Sequence, residues 1–250
     1  MSVDSPEQLE GLERVGRVVA ETIAAVREAA VPGVSTKELD AVAQGVFDSY
    51  GARSGPVPRY RYPGAICLSV DSEIVHGVPG SRRLRAGQLL TIDVAAELDG
   101  FHADSATTVA IGPVTGSARR LIAAGRAALR AGIRAAQPGA TLREVGAAVE
   151  RVTTARGFHV ARELTGHGIG HRMHEPPTVF NWPAPYREAG RKLTEGLVFT
   201  IEPMIAARPP RLVTGSDGWT IRDLSGTLSA HEEHTVMVRR QGALILTETG

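Results

Sequence analysis

Leu89-Leu90-Thr91-Ile92-Asp93-Val94 runs on through Asp99-Gly100 to Phe101-His102-Ala103-Asp104, and this stretch decides the fold. The first segment is apolar, yet it carries a carboxylate at its centre, and a second carboxylate follows beyond the turn. Asp-Gly between two strand-like segments is a strong hairpin signal. Pairing about that turn sets Asp104 opposite Ala95. Side chains alternate along a strand, so Ala95 shares a face with Asp93. The two carboxylates become diagonal neighbours, roughly 7–8 Å apart at the backbone. Like charges buried side by side are costly unless a cation compensates them. A metal site is the expectation.

Composition sets the bounds around this hairpin. The chain has 250 residues, 42% hydrophobic and 22% charged, ordinary for a soluble globular protein with a sizeable core. A net charge of +1 gives no argument for nucleic acid or an acidic partner. Met1-Ser2-Val3-Asp4-Ser5-Pro6-Glu7 has neither a basic n-region nor an apolar h-region. No run approaches the roughly 18 apolar residues of a membrane span. Cys67 is the only cysteine, which excludes an internal disulfide and fits a reducing compartment. These features predict a cytoplasmic protein with no membrane contact and no nucleic-acid specificity.

On the N-terminal side, Leu12, Val15, Val19, Ile23 and Val26 recur at helical steps until Val31-Pro32-Gly33. Ser35 and Glu38 form a capping box that opens a second helix, with Leu39, Val42 and Val46 buried and Gly51 as its stop. The arrangement returns on the C-terminal side. A helix over 117–136 ends at Gln137-Pro138-Gly139, and Thr141 with Glu144 caps another that carries Leu142, Val145, Val149 and Val152. When residues 32–51 are laid over 138–157, Pro32/Pro138, Gly33/Gly139, Ser35/Thr141, Lys37/Arg143, Glu38/Glu144, Leu39/Val145 and Gly51/Gly157 coincide. That many matches in one register predict an internal duplication. The chain then reads as a single domain, 1–250, of two related halves, approximately 8–112 and 113–250.

Each half turns to strand-like patterning after its helices. Candidate strands are 66–70, 89–98 and 101–111 in the first half, and 197–206, 219–223 and 234–239 in the second. Glu175 through Pro185 and Arg208 through Arg211 read as proline-rich loops. Helix pairs alternating with hairpins predict an α+β domain with a largely antiparallel sheet.

Three further ionisable groups stand where apolar or neutral residues would be expected. His167 lies in Gly166-His167-Gly168-Ile169-Gly170, Glu202 interrupts Val198-Phe199-Thr200-Ile201, and Glu233 leads into the last strand. Taken singly, each has a bland reading as an edge charge, a hinge histidine or a solvated face. With Asp93 and Asp104 they form an oxygen-rich set with one imidazole and no thiolate, suited to Mn²⁺, Fe²⁺, Co²⁺ or Zn²⁺. Balancing the carboxylates takes about two divalent ions, which points to a two-metal hydrolase. His167 and His171 have the spacing of a helical zinc motif, but glycines fill the interval, so that reading is rejected.

The motifs Val75-His76-Gly77-Val78-Pro79, Ile92-Asp93-Val94, His102-Ala103-Asp104, Gly166-His167-Gly168-Ile169-Gly170, His174-Glu175, Phe199-Thr200-Ile201-Glu202-Pro203-Met204 and Glu233-His234-Thr235 resemble those of type I methionine aminopeptidases. The resemblance spans nearly the whole chain in the right order. It implies the pita-bread fold, two pseudo-symmetric halves with a curved, mainly antiparallel sheet covered by helix pairs. It also implies removal of the initiator methionine from nascent polypeptides, near the ribosome, when the second residue is small, by a monomer using two divalent metal ions. Asp93 would hold one ion, His167 and Glu202 the other, with Asp104 and Glu233 bridging. Glu202 would also serve as general base, and His76 and His174 would position the peptide and stabilise the tetrahedral intermediate. Tyr62, Cys67 and Trp219 fall on the positions of the methionine pocket. Pro56, Arg59 and Met173 depart from the residues usual at the rim, and His171 matches no motif position. The competing readings are a Xaa-Pro aminopeptidase or dipeptidase of the same fold, usually with a further N-terminal domain, and a non-catalytic binding relative.

Overall fold

Ser5 opens the first helix: its side chain accepts a hydrogen bond from the Gln8 amide, and Pro6 supplies a first-turn residue whose missing N–H costs nothing. In the computed structural model, which describes residues 1–248, this helix is α1 (Pro6–Ala29). The first half continues with α2 (Thr36–Tyr50), β1 (Arg53–Ser54), the short α3 (Pro56–Tyr60), β2 (Cys67–Val70), β3 (Glu73–Val75), β4 (Leu89–Leu98) and β5 (Phe101–Ala110). The second half has α4 (Gly116–Ala135), α5 (Leu142–Ala155), β6 (His159–Val160), β7 (Thr165–Gly168), β8 (Glu175–Phe180), β9 (Val198–Ile201) and β10 (Met204–Ala206). It ends with β11 (Leu212–Thr214), β12 (Ile221–Asp223), β13 (Ser229–His231), β14 (His234–Arg239) and β15 (Gly242–Ile245).

Both predicted capping boxes form, Ser35 with Glu38 and Thr141 with Glu144. The paired glycines also adopt like conformations, with φ of 96° at Gly33 and 84° at Gly139, and 66° at Gly51 and 78° at Gly157. Ser35 and Thr141 each make an isolated antiparallel bridge, to Arg83 and Lys192 respectively.

The central hairpin has the predicted register. Asp99 and Gly100 take positive φ (52° and 83°), and β4 and β5 pair with Ala95 opposite Asp104. β2 flanks the other edge of β4 and sets Cys67 beside Asp93. All described ladders are antiparallel. β4 carries β5 on one side and β1 and β2 on the other, while the second half builds the order β15-β14-β9-β7-β8. Apolar side chains of α1 and α2, including Val15, Val19, Leu39 and Phe47, pack on Leu90, Ile92 and Val94 of β4. α4 and α5 do the same for the second sheet through Leu129, Val145 and Val149 against Phe199, Ile201 and Val236. Each fully buried aliphatic side chain contributes about 1.5–3 kcal/mol, so the helix pairs hold the two sheets firmly.

Three expectations need correction. The strand predicted over 197–206 is broken at Glu202-Pro203. Proline has no N–H to extend the ladder, so β9 stays with β7 and β14 while β10 crosses to pair with β6 and β13. The proline-rich stretch from Glu175 is not loop throughout, since Glu175–Phe180 forms β8. That strand lies at the sheet edge, where proline's missing donor leaves no ladder bond unmade. The strand predicted over 219–223 shortens to Ile221–Asp223.

Hydroxyl groups join the two halves. The Asp104 amide donates to Thr235 Oγ1 (2.9 Å), which donates to the Asp104 carbonyl (2.7 Å). Ser105 Oγ donates to the Glu233 carbonyl (2.6 Å), and the Glu233 amide to the Ala106 carbonyl (2.8 Å). β5 thereby fixes Glu233 beside Asp104.

Candidate active site

The predicted ligands converge on that seam. Asp104, His167 and Glu233 each offer a donor atom, all within 4.8 Å of one another. His167 Nε2 lies 3.9 Å from Asp104 Oδ2 and 3.6 Å from Glu202 Oε1. Asp93 shares the Asp104 face of the hairpin and lines the same cavity. Local geometry sets each group. Thr200 Oγ1 accepts the His167 amide (3.0 Å) and donates to Glu202 Oε1 (2.6 Å), so one hydroxyl positions both residues. Pro203 ends β9 just past Glu202, and Asn181 Nδ2 donates to the Glu202 carbonyl (2.9 Å). Gly166 permits this closeness, because a Cβ there would lie 2.8 Å from the Thr200 carbonyl oxygen.

The His167 tautomer follows from its partner. Nδ1 lies 3.0 Å from the Gly168 carbonyl, which can only accept, so Nδ1 carries the hydrogen. Nε2 is left as a lone pair facing the carboxylates, the form a metal ligand needs. Burial, with His174 nearby, lowers the His167 pKa to about 3 and keeps the ring neutral.

The carboxylates are uncompensated by protein. Burial, reinforced by Asp104 and Glu202, pushes Asp93 well above the usual carboxylate range. Burial raises Asp104 to about 7, and it lifts Glu202 and Glu233 well above their ordinary values. Asp104 Oδ1 and Glu233 Oε1 are buried without a hydrogen-bond partner among the described residues. Orphaned carboxylate oxygens beside an imidazole lone pair are what divalent cations would satisfy, so the donor set fits a metal centre.

Sequence reading missed His231. Its side chain is buried, both ring nitrogens lack partners among the described residues, and Nε2 faces Glu233 Oε2 (3.7 Å) and Glu202 Oε2 (3.9 Å). Burial, followed by the charge of His76, lowers its pKa to about 3. A signal was available, since His231 stands two positions before Glu233 and strand alternation turns such residues to one face. Thr200, two positions before Glu202, carries the same signal.

The cluster forms one end of a cavity of about 400 Å³ whose lining includes Tyr62, Cys67, His76, His174 and Trp219. Tyr62 is buried, donates to the Gly77 carbonyl (2.7 Å) and meets Trp219 edge-on, with ring centroids 5.3 Å apart. Burial, with Asp93 beside it, raises the Cys67 thiol and keeps it a neutral wall. His76 holds a left-handed backbone (φ 60°), a conformation that non-glycine residues keep mainly where surrounding structure enforces it. The His174 ring stacks 4.0 Å from that of His167, and Tyr60 bonds to it. Pro56 and Met173 line the cavity, whereas Arg59 and His171 line a neighbouring groove, His171 stacked on Phe101.

The family described as metallopeptidase family M24 matches residues 10–240. Methionine aminopeptidase 2 of Bacillus subtilis (strain 168) is 36% identical over 250 residues, covering 99% of this chain and 100% of that one. The crystal structure of methionine aminopeptidase from Thermotoga maritima superposes with a TM-score of 0.95 at 30% identity, covering 100% of both chains. The prolidase from Pyrococcus furiosus, at 22% identity and a TM-score of 0.78, covers 99% of this chain and 66% of that one, and shares the fold alone. The architecture is thus the pita-bread α+β fold. Matched from its first helix into its last strands, the chain belongs to metallopeptidase family M24.

Proposed function

We propose that this protein is a metal-dependent aminopeptidase that removes the N-terminal methionine from nascent polypeptides when the second residue is small. The observation that carries the reading is the meeting, in one cavity, of the buried Asp104, Glu202 and Glu233 and the half-buried Asp93 and His167 with the Tyr62–Cys67–Trp219 wall. An aromatic and sulfur-containing wall suits a flexible thioether. Methionine aminopeptidases at 36% identity over the full length support it.

In this reading Asp93 would hold one divalent ion, His167 and Glu202 the other, with Asp104 and Glu233 available to both. Bound there, such ions would supply an activated water and a Lewis acid for the scissile carbonyl. The remaining work belongs to side chains. Thr200 fixes Glu202 Oε1, which leaves Oε2 to take a proton from the nucleophile and return it to the leaving amine. His76 and His174, exposed at the cavity yet both shifted down by desolvation, orient the peptide and donate to the oxygen on which charge develops. Tyr62 and Trp219 exclude water from the methionine side chain.

The seam placement extends the reading to the whole chain: we take the two helix-pair halves as products of one internal duplication. Among the described residues, no helix is long and apolar enough to cross a membrane. A cytoplasmic monomer working near the ribosome is the setting this activity calls for.

The test compares Met-Ala-Ser with a Xaa-Pro peptide after metal removal and stepwise return of Mn²⁺, Fe²⁺ or Co²⁺. The expected result is metal-restored cleavage of Met-Ala-Ser alone. Equal or faster cleavage of the Xaa-Pro peptide would replace this reading with that of a prolidase.

A further inference from the structure

Beyond the metal ligands, a short polar chain leads from the surface into the cavity. Arg59 Nε donates to the Tyr60 hydroxyl oxygen at 2.9 Å, and that oxygen lies 2.8 Å from His174 Nδ1. α3 holds the pair in place: the Gly55 amide just before it bonds to the Ala95 carbonyl on β4 (2.9 Å), and Arg61 closes it with φ 58°. The Tyr60 and His174 rings meet edge-on with centroids 5.5 Å apart. We propose that Tyr60, polarised by Arg59, is a positioning residue that fixes His174 as the Nε2–H tautomer and so sets which ring atom donates to the substrate.

Donor and acceptor capacity sets the direction of each bond. A guanidinium has no acceptor, so at the Arg59 contact Tyr60 must accept. Donation from a cation draws density from the phenol oxygen, making it a weaker acceptor and a stronger donor toward its second partner. The acceptor within reach is Nδ1 of His174. A ring whose Nδ1 accepts carries its hydrogen on Nε2. That nitrogen makes no hydrogen bond to the described residues, and the ring lines the cavity beside His167. A donor there stabilises charge developing on the carbonyl oxygen, whereas a lone pair would repel it. This inference rests on the proposed peptidase reading only for its effect on turnover; the tautomer itself does not depend on it.

The test uses the full chain, ¹⁵N-labelled at histidine and loaded with Zn²⁺ to stay diamagnetic. His174 is assigned by the signals missing from the His174→Gln spectrum. Long-range ¹H–¹⁵N spectra are expected to give a protonated Nε2 and a bare Nδ1 in the wild type. In Tyr60→Phe, which removes one hydroxyl from a half-exposed site, a mixture of tautomers is expected. In parallel, kcat for Met-Ala-Ser should fall about tenfold in Tyr60→Phe with KM nearly unchanged, and less in Arg59→Met. A wild-type His174 protonated at Nδ1, or an unchanged tautomer in Tyr60→Phe, would overturn the proposal. Absence of Met-Ala-Ser cleavage by the wild type would instead remove the functional reading and leave the tautomer question standing.

Discussion

Asp104 and Tyr60 both face the same cavity, yet Asp104 is 5% exposed on a strand joined to the other half, while Tyr60 is 36% exposed on a short helix. The floor represented by Asp104 is made of residues distant in sequence: Asp104 and Glu233 are held by hydrogen bonds across the seam, His167 and Glu202 by Thr200, and Asp93 by the ladders of β4 with β2 and β5. The rim represented by Tyr60 is made of neighbours in sequence over residues 56–62, held mainly by a single backbone bond to β4. Charge sharpens the difference. At the floor, burial raises four carboxylates with no protein cation to answer them, whereas at the rim a guanidinium and a phenol remain in contact with solvent. In the proposed function, the floor would decide whether the reaction runs, and the rim how fast and on what.

This contrast is most severely tested at the floor. Asp104→Asn keeps the side-chain volume and removes a charge shared by the whole cluster. Turnover of Met-Ala-Ser at saturating Mn²⁺ should fall by at least about 1000-fold. The metal-free variant should melt no lower than wild type, since a carboxyl group whose charged form burial disfavours has been replaced by a neutral amide. Scanning calorimetry beside steady-state kinetics checks both, and near wild-type turnover would sink the account of the floor.

A smaller effect is expected from changing the support rather than a ligand. In Gly166→Ala the new Cβ would meet the Thr200 carbonyl oxygen at 2.8 Å, Thr200 Oγ1 at 2.9 Å and Glu202 Cγ at 3.2 Å. Thr200 positions both His167 and Glu202, so Mn²⁺ affinity by titration calorimetry should weaken about tenfold or more. Stability should drop by about 1–3 kcal/mol. Unchanged affinity would mean that the β7–β9 contact does not set the ligands.

At the wall, Trp219→Ala should raise KM for Met-Ala-Ser by about tenfold while kcat changes less, because the lost contact serves binding more than the reacting bond. Preference for methionine over leucine at the first position should narrow in the same assay. A fall in kcat alone would place Trp219 with the floor instead.

How far the sequence could be read follows the same division. The hairpin was legible to the residue, because a two-residue turn and the period-2 alternation leave one register, and Asp104 faces Ala95 accordingly. Both capping boxes were legible because their partners lie three residues apart. The break at Glu202-Pro203 was misread as continuous strand, since apolar residues persist on both sides and only the change of sheet partner reveals it. β8 was misread as loop, since its prolines are tolerable only at an edge, and edge position is a property of the assembled sheet. Tyr60 had no signal at all: its contact with His174 joins segments far apart in the chain.

The central claim is that the buried carboxylates of the floor hold protons until divalent ions replace them. Burial raises Asp104 to about 7 and lifts Asp93, Glu202 and Glu233 well above the ordinary carboxylate range, so the metal-free cluster favours bound protons more than free carboxylates do. His167, lowered to about 3, has no proton to give on its ligating nitrogen. The direct measurement is calorimetric titration of the metal-free chain with Mn²⁺ at pH 7 in buffers of different ionisation enthalpy. Release of at least about one proton per chain, with affinity rising as pH rises, is the predicted result. Binding that releases no proton would mean the carboxylates were already ionised, and would contradict the account.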